Sequence, residues 1–89
     1  MRIKYNYVLQ TIVDEYIVVP IADEADRLHG VIKLNKTGAF LWNYLEVQNR
    51  SYENMVNAII NEYGIEYSVA CNDVDMFINQ LKSIGCIEY

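Results

Sequence analysis

The apolar positions of this chain change period once, and the change divides it into a sheet-forming first third and a helix-forming remainder. Tyr5, Tyr7, Leu9, Thr11 and Val13 alternate with Asn6, Val8, Gln10 and Ile12, the period-two pattern of a strand with a tyrosine-rich face. Asp14–Glu15 is the expected turn, and Tyr16–Ile21 is a second, more continuously apolar strand. Pro20 cannot donate to a ladder, so it belongs at a strand end or on an edge. These two runs predict an antiparallel hairpin. After a polar loop, Ala22–His29, the short β-branched run Gly30–Leu34 predicts a third strand.

From Thr37 onward Leu41, Trp42 and Leu45 recur at helical spacing, and Asn35 stands where its side-chain oxygen can accept from the first free backbone N–H groups. The first helix is therefore expected over about Lys36–Leu45. A strand that feeds a helix across one residue fixes the angle between the two. It leaves the Gly30–Leu34 backbone beside a helical scaffold, where another chain can pair with it. Gly38, early in that helix, marks a close backbone approach to the sheet.

Ser51 is a good N-cap with Glu53 in the first turn of a second helix. Tyr52, Met55, Val56, Ile59, Ile60 and Tyr63 follow one amphipathic stripe, which Gly64 terminates. A third helix, capped by Ser68 or a neighbour, carries Ala70, Val74, Phe77, Ile78, Leu81 and Ile84 on one face and stops at Gly85. A tail, Cys86–Tyr89, closes the chain.

Three strands that cannot bury both faces alone, followed by three short amphipathic helices, make a two-layered α+β domain. The expectation is one domain over residues 1–89, with a three-stranded antiparallel sheet within about 5–34 and helices within about 36–85. The tight connection Tyr63–Ser68 makes the arrangement winged helix-turn-helix-like.

Composition narrows the function classes. At 89 residues and 53% hydrophobic content the chain is of one-domain size and able to fold, with little room for a deep cleft. Its longest apolar run, Tyr16–Ala22, falls well short of the ~18 residues of a membrane span. The start, MRIKYNY, lacks a signal-peptide core, so a soluble, cytoplasmic protein is expected, with no membrane partner.

Residues 51–89 carry Lys82 as their single base against Glu53, Glu62, Glu66, Asp73, Asp75 and Glu88, so the whole net charge of −5 sits there. A phosphate backbone would be repelled by that half, which opposes the runner-up reading, a winged-helix DNA-binding regulator, and predicts no nucleic-acid partner. Cys71 and Cys86 have no C-x-x-C spacing and read as free buried thiols; with His29 the lone histidine, no metal site is expected. No nucleophile stands beside a base, no carboxylates pair at a defined spacing and no glycine loop suits a phosphate, so no catalytic residue, no cofactor and no enzyme is expected.

The run GVIKLNKTGAFLW (Gly30–Trp42), Ser51 opening a helix that ends in EYG (Glu62–Gly64), and DVDMFINQLKSIG (Asp73–Gly85) together resemble the PqqD family, whose founding member is the coenzyme PQQ synthesis protein D. Its fold is shared by the recognition elements of ribosomal peptide (RiPP) biosynthesis. The resemblance covers residues 7 to 88; L-N-x-T-G-A-x-x-W at Leu34–Trp42 is its most distinctive part. The chain departs from the pattern in lacking a glycine over Glu46–Arg50 and in its long, acidic Ala22–His29 loop.

The resemblance implies a non-catalytic peptide chaperone. Such a domain binds the leader of a precursor peptide and presents it to a modifying enzyme, often a radical SAM protein. The guest adds as a strand to the third strand and packs into the groove between that strand and the third helix. Carried onto this chain, the peptide-binding residues are Gly30, Val31, Ile32, Lys33 and Leu34 on the strand and Asp73, Met76, Phe77 and Gln80 on the helix. Val31 and Lys33 point one way and Ile32 and Leu34 the other, so one pair can serve the core and the other the ligand.

At 100° per residue, Asp73, Met76 and Gln80 share a face away from the Val74–Leu81 core line. Plainer roles compete. Lys33 can be a solvated edge charge, Asp73 a first-turn carboxylate, and Met76 a singly exposed apolar side chain. Trp42 and Phe40 read as core. The same open edge would also accept a second copy of the chain, giving a homodimer.

Overall fold

A computed structural model describes residues 1–4, 6–21 and 31–88. Its elements are β1 (Arg2–Ile3), β2 (Tyr7–Ile12), β3 (Glu15–Pro20), β4 (Ile32–Leu34), α1 (Lys36–Val47), α2 (Tyr52–Tyr63), α3 (Tyr67–Ser83) and β5 (Ile87–Glu88). Strands β2, β3 and β4 form an antiparallel sheet in that order, followed by three helices, as the periodicity predicts.

The hairpin turn lies one residue earlier than expected. Ile12 pairs with Glu15, so Val13–Asp14 are the turn and β3 begins at Glu15. Val13 takes φ +55°, a conformation a β-branched side chain rarely adopts, and is 88% exposed. Two apolar residues ending an alternating run conceal a turn that composition alone would place at the acids.

A second, two-stranded sheet was not legible in the sequence. β1 pairs with β5 in the register Arg2↔Glu88 and Ile3↔Ile87, extended by Lys4 N–H donating to the Cys86 carbonyl at 2.9 Å. Arg2 Nε and Glu88 Oε2 add an ion pair at 2.7 Å. Two-residue strands are too short to show a period.

The helix boundaries have local causes. Asn35 caps α1 by accepting from Gly38 N–H at 2.7 Å, and the helix runs on past Leu45 to Val47. A Cβ at Gly38 would stand 3.2 Å from both Leu34 Cβ and Asn35 Oδ1, so the glycine lets α1 sit tightly against the end of β4. Ser51 caps α2 in a reciprocal capping box with Asn54, and Gly64 closes it in the left-handed conformation, φ +63°. Ser68 does not cap α3: that helix starts at Tyr67, after Glu66, with no side-chain cap, and Ser68 lies inside its first turn.

The core lies between the helices and one face of the sheet. Trp42, Phe77, Leu41, Leu45, Met55, Ile59, Leu81 and Val18 are its largest fully buried side chains. All six residues of the expected α3 face are buried, whereas α2 buries Met55, Val56 and Ile59 and leaves Tyr52, Ile60 and Tyr63 at the margin. Phe40 is only half-buried; it stacks on Tyr44 and meets Tyr63 edge-on at 5.7 Å between ring centres.

Both cysteines are free, Cys86 buried but Cys71 only half-buried. Among the described residues no three His, Cys, Asp or Glu side chains gather as a metal site, and no helix is long and apolar enough to cross a membrane. The Ala22–His29 loop and Gly30 lie outside the described residues.

Candidate functional site

Strand β4 is held on one flank by β3, with Tyr16↔Leu34, Ile17↔Lys33 and Val18↔Ile32 opposite each other. Its alternation is as expected. Leu34 is 2% exposed and Ile32 packs against the core, while Lys33 is exposed and Val31, just ahead of the strand, is 58% exposed. Lys33 Nζ reaches diagonally to Glu15 Oε1 at 2.9 Å, an exposed pair that neutralises its charge but adds little stability.

The other flank of β4 has no backbone partner among the described residues. Residues of an antiparallel strand turn their N–H and C=O alternately toward and away from the neighbour. The Lys33 carbonyl accepts from Gln80 Nε2 on α3 at 3.1 Å, so Lys33 is a residue whose backbone faces away from β3. By the same alternation the Val31 groups face that way too.

Helix α3 runs alongside. One turn-spaced line on it carries Val69, Asp73, Met76 and Gln80, of which Val69 and Met76 (44%) are large exposed apolar residues. Phe77 is 1% exposed, so its side chain props the helix against the core. A shallow trough of about 540 Å³ is lined by Asn72, Asp75, Met76, Asn79, Gln80 and Ser83; all six are on α3 and none on β4, so this trough runs along the helix and is not a groove between strand and helix. Gln80 therefore borders both the trough and the open flank of β4.

Asn72, Asp75, Asn79 and Ser83 escaped sequence reasoning because a polar helix face reads as simply solvated. Val69 was legible in principle, four residues before Asp73 on the same line.

The charge here is acidic. Among the described residues of β4 and the trough, with Lys33 paired to Glu15, the remaining charged side chain is Asp75, with Lys82 beside it, and Asp73 lies on the neighbouring line of α3. Asp75 is oriented by the Tyr52 hydroxyl, which donates to Oδ1 at 2.9 Å; that bond holds the phenol well above its ordinary value and so keeps it protonated. The Cys86 thiol is pushed up to about 11 by burial, which leaves it a neutral thiol, unsuited to nucleophilic chemistry.

The family model described as Coenzyme PQQ synthesis protein D (PqqD) matches residues 15–87, from the first residue of β3 to the first of β5. The chain belongs to the PqqD family. The PqqD match contains β4, the tight β4–α1 junction and all of α3, the parts that build the open flank. A solved structure described as "TbiB1 in Complex with the TbiA(beta) Leader Peptide" has the same fold, with a TM-score of 0.74 and 25% sequence identity. The similarity covers 99% of this chain and 95% of that one. No curated protein sequence matches the chain.

Proposed function

We propose that this PqqD-family protein is a non-catalytic, cytoplasmic adaptor. It captures the leader region of a ribosomally made precursor peptide by strand addition to β4 and presents it to a modifying enzyme such as a radical SAM protein. The observation that carries this reading is the flank of β4 that has no backbone partner among the described residues, whose outward backbone groups lie beside the Val69–Gln80 line of α3. Strand addition takes affinity from such groups and specificity from alternate side-chain contacts. The solved neighbour, a complex with a leader peptide, supports the same assignment.

In this reading the backbones of Val31 and Lys33 pair with the guest. Ile32 and Leu34 hold the strand to the core, and Asp73, Met76 and Gln80 meet guest side chains while Phe77 supports them from beneath. Gly30 extends the strand in the sequence and lies outside the described residues. The acidic flank favours a guest without carboxylates at the contact. It also disfavours DNA, for which α3 offers Lys82 against Asp73 and Asp75.

The test is calorimetric titration with overlapping synthetic segments of the small open reading frames beside the gene. One segment binds, and Val31→Pro, which removes an outward N–H without touching the core, weakens it about tenfold. Unchanged affinity in a folded Val31→Pro protein would exclude ladder pairing.

A further inference from the structure

The bond between Gln80 and Lys33 joins residues 47 positions apart and is the one link from α3 onto the outward side of β4 that a side chain makes among the described residues. A glutamine carboxamide is chemically a peptide group on a flexible stem: its NH₂ donates and its oxygen accepts. At 3.1 Å from the Lys33 oxygen, Gln80 Nε2 occupies the position that a guest strand's N–H would take in a ladder.

We infer that Gln80 is a latch on the recognition edge. In the free protein its carboxamide stands in for a guest backbone amide at the Lys33 carbonyl, and peptide entry displaces it. This inference rests on the strand-addition reading above and adds a residue that sets affinity and access.

Three features argue for it. First, β4 spans Ile32–Leu34, so among the described residues its outward pairing groups are those of Lys33 and, just ahead of the strand, Val31, and occupying one carbonyl withholds a sizeable part of that short ladder. Second, the side chain bridges from helix to strand, so a guest lying along β4 and against α3 must pass through the space it fills. Third, the bond is exposed and made by a side chain with several rotatable bonds, so it is displaceable in a way a backbone pair would not be. An unguarded sheet edge invites pairing with any extended chain, including another copy. The Glu15–Lys33 pair cancels the charge that would otherwise protect this edge, and the latch takes over part of that duty.

The experiment titrates the same overlapping synthetic segments into the intact chain and into the variants Gln80→Ala and Gln80→Met. The second keeps the side-chain length and serves where the first fails to fold. Both variants bind about fivefold more tightly than the parent, mainly through faster association, because no internal donor has to leave. In spectra of the ¹⁵N-labelled parent, the Gln80 side-chain amide resonance moves when the peptide is added, as its bond to the Lys33 carbonyl is lost.

Equal or weaker binding by both variants overturns the latch and leaves peptide capture standing. If neither the parent nor the variants bind any segment, both readings fall. Binding by the variants alone would be the latch at its strongest.

Discussion

The helical layer and the outer flank of β4 solve opposite problems with the same short chain. In the helical layer Trp42, Phe77, Leu41 and Leu81 are fully enclosed, and the interior is fixed by the packing of side chains that have no alternative. On the outer flank of β4, backbone groups of the kind that proteins normally pair face outward, with one carbonyl met by a side chain. Under the strand-addition proposal, stability and recognition rest on different residues. Substitutions should separate them.

The strongest test of that separation is Trp42→Ala. Removing a fully buried indole lowers unfolding free energy by about 3–5 kcal/mol and should abolish peptide capture only through loss of the fold. Urea unfolding measures it, and a variant that is destabilised yet binds normally when folded would sharpen the contrast. Val31→Pro is its counterpart at the edge, lowering affinity with little change in the unfolding midpoint.

At the hairpin tip, far smaller stakes apply. Val13 holds φ +55° while almost fully exposed, so Val13→Gly relieves backbone strain and should stabilise the protein by about 1 kcal/mol. Thermal unfolding checks the sign. A loss of stability would mean that Val13 makes a contact its exposure conceals.

The smallest effect concerns the α2–α3 contact. Tyr67 donates to Glu53 Oε1 at 2.9 Å, and that hydrogen bond raises the phenol from 10 to about 12. The folded protein then holds this proton more tightly than the unfolded chain does. Its contribution is complete below pH 10 and disappears as pH climbs through about 12. Tyr67→Phe should flatten that alkaline segment of the stability profile and leave peptide affinity untouched.

Much of the architecture can be read from neighbours in the chain. The α3 core line from Ala70 to Ile84 is buried throughout, Asn35 and Ser51 cap the helices they precede, and Gly64 ends α2 with a positive φ. Each rests on a period or a hydrogen bond spanning a few residues. The misses share a cause as well. Ser68 has the chemistry of a cap but lies two residues past the N-cap position, and Val13 has strand propensity yet turns, because the Ile12↔Glu15 register leaves it no partner. The polar wall of the trough, Asn72, Asp75, Asn79 and Ser83, carries no local mark that separates the wall of a trough from a flat wet surface.

Sequence by itself determined the order of the three-stranded sheet and the three helices, most of the residues that fill the interior, the acidity of residues 51–89 and the strand-to-helix junction at Asn35, since these follow from side-chain chemistry acting over one or two turns. Only the tertiary structure decided how the chain's two ends close into a second sheet, that β4's outer flank has no backbone partner among the described residues, and that Gln80 reaches Lys33 across it. Those outcomes depend on how α3 packs beside the sheet, a geometry set by the whole core at once, and no stretch of neighbouring residues encodes it.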